Sequence, residues 1–122
     1  MEPEILVTKK FDKDMRRFSA VEIERIKKRV DRYIQHYSET GPSFSLHALE
    51  RIKLRGGLEP TLYVMDVSRD IRLILTRDED PLFDRLIVTL LRVVRHKDLQ
   101  KAYDGLVESL YQEYLNTSSE GE

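Results

Sequence analysis

Residues 61–98 read TLYVMDVSRDIRLILTRDEDPLFDRLIVTLLRVVRHKD, and this stretch limits the possible folds more than any other. Apolar residues recur there with the two-residue period of strands, in three successive runs. Leu62 and Val64 alternate with Tyr63, Met65 and Val67; Ile71, Leu73 and Leu75 share one face, and Arg72, Ile74 and Thr76 the other. Ser68-Arg69 reads as a tight connection, and Arg77-Asp78-Glu79-Asp80-Pro81 as a turn. Residues 86–94, LIVTLLRVV, are almost wholly apolar, the mark of a central strand covered on both faces. Three sequential strands of this kind form an antiparallel meander. Its end carries Arg95-His96-Lys97-Asp98.

The flanks supply the remaining elements. Residues 4–9 are β-branched and read as a first strand, followed by a helical turn through Phe11, Met15 and Phe18. Ser19 and Glu22 have the spacing of a capping box. Beyond them Ile23, Ile26, Val30, Tyr33 and Tyr37 recur every three or four residues, which predicts an amphipathic helix over residues 20–38. Gly41-Pro42 stops it. Residues 44–60 fit a helical turn or a loop equally well. Leu99, Ala102, Tyr103, Leu106, Leu110 and Tyr114 predict a last helix over 99–115, and Thr117 to Glu122 read as a disordered acidic tail. The fold class that follows is α+β: a small, mostly antiparallel sheet with two N-terminal helices packed on it and a C-terminal helix.

At 122 residues, 40% hydrophobic and 35% charged, the chain has room for one domain, expected over residues 1–116. It has no cysteine, so disulfides and thiolate metal sites are excluded. His36 and His47 have no metal-ligand partners at useful spacing, and no metal or other cofactor is expected. No run of about 18 apolar residues suits a membrane span, and the charged N-terminus lacks the core of a signal peptide; a cytoplasmic location is the default expectation. The net charge of −1 does not suggest a nucleic-acid binder. Its distribution is uneven: residues 105–122 contain four acids and no base, so the body is mildly basic.

Three local motifs, with the element order, resemble the RelE/ParE toxin superfamily of bacterial toxin–antitoxin systems over about residues 4–104. They are Leu49-Glu50-Arg51-Ile52-Lys53-Leu54-Arg55-Gly56-Gly57 before the sheet, Asp70-Ile71-Arg72-Leu73-Ile74 in its middle strand, and Val93-Val94-Arg95-His96-Lys97-Asp98 at its end. The family ending usually places His before Arg and a Tyr two residues after Asp; here Arg95 precedes His96, and Tyr103 follows Asp98 by five. The resemblance implies a toxin that cuts mRNA, often on the ribosome, or one that poisons a DNA topoisomerase. It also implies an antitoxin protein that holds the toxin in check.

Cleavage of RNA by its own 2′-hydroxyl needs a base, an acid and cationic donors for the phosphorane oxygens. Histidine is the side chain whose ordinary pKa lies in the useful range, and His96, at the sheet's end, suits either proton role. Arg72 and Arg95 offer planar forks to phosphate oxygens, and Tyr103 can stack on a base or donate a proton. Lys53, Arg55 and Lys97 would hold flanking phosphates. Plainer roles compete. Arg72 can pair with Asp66 or Asp70, Arg95 to Lys97 can be a solvated strand exit, and Tyr103 has the spacing of a core residue. The nuclease reading requires Arg72 and the Arg95/His96 cluster to open onto one cleft; strand parity, counting Arg95 with Val93, Leu91 and Ile87, is compatible with this. A protein-binding module on the same scaffold and a self-associating protein, a homodimer through the helix 20–38 and the tail helix, are the other readings.

Overall fold

The computed structural model describes residues 2–40, 49–52, 62–80 and 82–120. In chain order the elements are β1 (Glu2–Val7), α1 (Lys9–Met15), α2 (Ala20–Thr40), β2 (Leu49–Ile52), β3 (Leu62–Asp66), β4 (Ile71–Asp80), β5 (Arg85–Arg95), a 3-10 turn (His96–Asp98) and α3 (Leu99–Glu120). Five strands form one sheet in the order β1-β5-β4-β3-β2. Only β1, parallel to β5, departs from antiparallel pairing. The α+β class and the meander β3–β4–β5 agree with the sequence reading. Residues 49–52, left open between helix and loop, are the strand at the far edge.

Alternation sends the apolar residues of the sheet to two cores. Met65, Ile71, Leu73, Leu75, Leu86, Val88, Leu90 and Val93 meet Phe11, Phe18, Ile26, Val30, Tyr33 and Tyr37 from α1, α2 and their link. Leu62, Val64, Ile74 and Val94 meet Ala102 and Leu106 of α3. β5 contributes to both, as expected of a nearly all-apolar run. Each buried aliphatic side chain contributes about 1.5–3 kcal/mol, so the sheet's two covered faces hold the helices in place.

Three boundaries differ from expectation. The charged run from Arg77 to Asp80 extends β4, and the turn falls at Leu82–Asp84. There the Asp80 carboxylate accepts from the N–H groups of Leu82 (3.1 Å) and Phe83 (3.4 Å), and Asp84 takes a positive φ of 52°. Charged residues are tolerated in this strand because it runs past the core to the rim, where Arg77 lies over the rings of Tyr63 (4.6 Å) and Tyr37 (5.4 Å). The second difference is at the C-terminus: α3 continues to Glu120, through residues read as disordered tail. Asn, Thr and Ser lower helix propensity by well under about 1 kcal/mol each, and neither Gly nor Pro occurs between Gly105 and Gly121. The third is a β-bulge: Ile74 pairs with Arg92, but Leu75 pairs with Leu90, so Leu91 is an extra residue in β5.

One buried carboxylate joins α1 to the sheet. β1 ends at Val7, opposite Leu90, and leaves the next stretch of β5 without a partner strand. Thr8 begins to fill the gap: its hydroxyl donates to the Leu91 carbonyl (2.9 Å) and accepts from the Phe11 N–H (3.1 Å), capping α1. Asp14 then accepts from the Val93 N–H (3.1 Å) and from Arg92 through Nε (2.7 Å) and Nη2 (3.1 Å). A polar group this deeply enclosed must be satisfied by several donors, and the Asp14 carboxylate is.

Asp14→Ala leaves the Val93 N–H and the Arg92 guanidinium without their acceptor, and is expected to lower the unfolding free energy by about 3 kcal/mol. Urea denaturation measures this. Gly105 lies inside α3, and beyond its chain neighbours and the backbone of its own helical turns no atom comes within 4 Å of where a Cβ would stand. Gly105→Ala is therefore expected to raise stability by about 0.5–1 kcal/mol in the same assay.

Candidate functional site

The end of the sheet where β4 begins and β5 finishes holds the residues proposed to handle phosphate. The β3–β4 connection is tied tightly. The Ser68 hydroxyl accepts from the Ile71 N–H (3.2 Å), the Val67 N–H donates to the Ile71 carbonyl (3.0 Å), and the His96 N–H donates to the Asp70 carbonyl (2.6 Å). Arg72 is part of this clamp. Its Nη1 donates to the carbonyls of Ser68 (2.6 Å) and Ile71 (3.2 Å), and its Nε lies 3.0 Å from the carboxylate of Asp66, its cross-strand partner. The Arg72 side chain is only 15% exposed.

Arg95 is bound as firmly, by different groups. It grips Glu22 of α2 with both terminal nitrogens (2.6 and 3.1 Å), reaches Asp70 at 3.2 Å, and stacks over the Phe18 ring at 4.7 Å. Glu22 also completes the expected capping box: its carboxylate accepts from the Ser19 N–H (3.0 Å), while the Ser19 hydroxyl accepts from the Glu22 N–H (3.2 Å). The Arg95 hydrogen bonds, aided by the Ser19 N–H, hold the Glu22 carboxyl down at about 2. The same hydrogen bond to Glu22 pushes Arg95 above the ordinary guanidinium value.

The two arginines do not share a cleft. Arg72 pairs with Val94, and Ile71 with Arg95; cross-strand partners share a face. Val94 belongs to the α3 core, while Ile71 and Val93 belong to the α1–α2 core. Arg72 and Arg95 thus leave opposite faces of the sheet. The parity count that grouped Arg95 with Leu91 and Ile87 is corrected by the bulge. Leu91 packs toward α3, whereas Val93 shares the α1–α2 core with Val88 and Leu90.

His96 opens the 3-10 turn and is exposed, as is Lys97. Tyr103 is half-buried in the α3 core beside Leu99 and Val107, as its helical spacing suggested. Lys53 and Arg55 lie outside the described residues. Asp66 is one of the partners expected for Arg72; what the expected site lacked was the carboxylates of Glu22 and Asp14. Glu22 and Asp14 stand 73 and 78 residues from the groups they bind, so only the capping-box spacing hinted at one of them. A cavity of about 390 Å³ opens at the β5 edge beyond the end of β1, with Arg17, Arg92, Arg95 and Lys101 among its lining and Asp14 and Asp98 as its acids. Among the described residues no cluster of three or more His, Asp or Glu could hold a metal. Among the described residues no helix is long and apolar enough to cross a membrane.

Because the folded-state value of Glu22 lies below the ordinary 4.5, its interactions stabilise the fold fully above pH 4.5 and are lost as pH falls toward 2. The Glu22→Gln variant has no such titration. Urea midpoints measured from pH 6 down to pH 2 are expected to separate the two proteins above about pH 4.5 and to converge toward pH 2.

No family model matches this chain, and no curated protein matches it. Among solved structures it is similar to the YoeB/ParE toxin from Agrobacterium tumefaciens, at 13% identity and a TM-score of 0.47, over 79% of this chain and 99% of that one. The α+β assignment follows from the strands, register and helices described above.

Proposed function

We propose that this chain is a RelE/ParE-like toxin that acts by binding a protein target, of the topoisomerase kind, and that an antitoxin protein restrains it. The element order and the three motifs of resemblance support the scaffold. One observation favours a protein target over RNA cleavage: Arg72 and Arg95 leave opposite faces of the sheet, each already engaged by carboxylates of the chain. A phosphorane needs cationic donors converging within hydrogen-bond reach of its oxygens. Freeing Arg95 for that role means breaking a bidentate pair with Glu22 and a second contact with Asp70. The charge of the chain, −1, also gives little long-range attraction for RNA.

A second reading keeps one observation in its favour. Arg95, His96 and Lys97 are consecutive at the end of β5, and the last two are exposed. An endoribonuclease built on these three would dispense with Arg72 and use His96 for proton transfer.

Induced expression in a bacterial host separates the two. The proposal expects growth arrest with transcripts intact by primer extension, altered plasmid supercoiling, and retention of topoisomerase subunits on the immobilised protein. Transcripts cut at defined positions, with cutting abolished by His96→Ala, would overturn it in favour of the nuclease.

A further inference from the structure

The outward side of α2 is not a uniformly solvated face. It borders a groove of about 630 Å³ with an apolar floor of Ala20, Val21 and Val67, and Val21 is 70% exposed. Arg25, Lys28, Arg29 and Arg32 stand over it, one helical turn after another, with Glu24 as the one acid in the lining. Arg29 is half-buried, and its Nε donates to the Asp66 carbonyl at 3.3 Å. The nearby Asp66 carboxylate is engaged by Arg72. Among the described residues Arg25, Lys28 and Arg32 have no ion pair. Burial, together with the charge of Arg32, pushes Arg29 below its ordinary value. Cations are thus crowded at this groove, and an arriving carboxylate would relieve the crowding.

The chain itself contains the complementary segment. Residues 105–122 carry Glu108, Glu113, Glu120 and Glu122 with no base, and between them Leu110, Tyr111, Tyr114 and Leu115. We propose that the groove along α2 is an interface between copies of this chain, occupied by the acidic, apolar end of α3 from a second copy. The occupant cannot come from the same copy. α2 covers one face of the sheet and α3 the other. α3 is one helix from Leu99 to Glu120, about 33 Å long, with no break at which to turn back. Exchange between two copies closes on itself as a two-fold dimer, in which each tail meets the other's groove. The floor supplies apolar contact, and the basic rim fixes direction and partner. This inference does not rest on the identity of the toxin's target.

Light scattering and sedimentation of the full chain test it, with two surface variants: Arg25→Glu/Lys28→Glu in the groove and Glu108→Lys/Glu113→Lys in the tail. The parent is expected to be a dimer at low salt, weakening as salt rises. Each reversed pair is expected to weaken dimerisation by roughly tenfold or more, and an equimolar mixture of the two variants to recover it. The circular dichroism spectra of the variants are expected to match the parent. A monomer at every concentration, a dimer indifferent to either reversal, or a mixture that fails to associate would overturn the proposal. So would a monomer whose groove binds a short single-stranded RNA and loses it on Arg25→Glu/Lys28→Glu, which would assign the rim to phosphates.

Discussion

One extra residue in β5 decides which way the end of this sheet faces. Before the bulge, Leu86, Val88 and Leu90 point toward α1 and α2. An uninterrupted strand would then have sent Leu91, Val93 and Arg95 the other way, onto the face that carries Arg72. Because Leu91 and Arg92 together oppose Ile74, the alternation reverses: Val93 and Arg95 return to the α1–α2 side and Val94 goes to α3. Bulges are a known means of re-aiming a side chain near a strand end. Here the effect is to separate two arginines that a regular ladder would have brought together. Both cores depend on the same residue, since Val93 and Val94 are buried in different ones.

Once separated, the arginines are closed off by acids from other elements. Asp66 takes Arg72, Asp14 takes Arg92, and Glu22 with Asp70 takes Arg95. These pairs differ in consequence. Asp14 is enclosed and also bonds a strand N–H, so its loss leaves buried donors unsatisfied. The partners of Arg72 include two carbonyls of the turn it spans, so this arginine holds a hairpin shut. Arg95 links the start of α2 to the end of β5 through a carboxylate that also caps the helix. Bidentate geometry and a carboxyl held far below its ordinary value make that link persistent at neutral pH. Positive charge at this end of the sheet is therefore mostly internal wiring, and what is left for a ligand includes Lys97, Arg17, Arg69 and Lys101.

The sequence was legible where a period could be read over many residues. α2, the meander and the covered nature of β5 follow from apolar spacing alone, and the capping box from Ser19 and Glu22. Tyr103 fell into the core its spacing assigned. What stayed hidden depends on register or on distant pairs. A bulge leaves no local mark in LIVTLLRVV, where the extra residue, Leu91, is one apolar residue among many. Asp14 looks like one more acid in a charged turn, until β5 places a bare N–H beside it. Charge runs misled in both directions: Arg77 to Asp80 looks like a turn and is strand, and the Ser/Thr-rich end looks like coil and is helix. In both, the composition weakens the element without breaking it, and neighbouring structure decides.

The same accounting explains where this protein can still recognise something. Both faces of the sheet's central strands are covered, and Arg72, Arg92 and Arg95 at its end are paired. Surfaces that the fold positions without consuming include the outer side of α2, with cations it does not neutralise; the proposed interface adds the acids and apolar residues in the sequence of the far part of α3. A body with surplus base and a tail with only acid cancel almost completely in the net charge. Cancellation within one copy would require the two to meet, and the sheet stands between them. Their attraction is therefore available only to another molecule. Near-neutral charge in this chain thus conceals two complementary poles, held apart by a helix that cannot fold back.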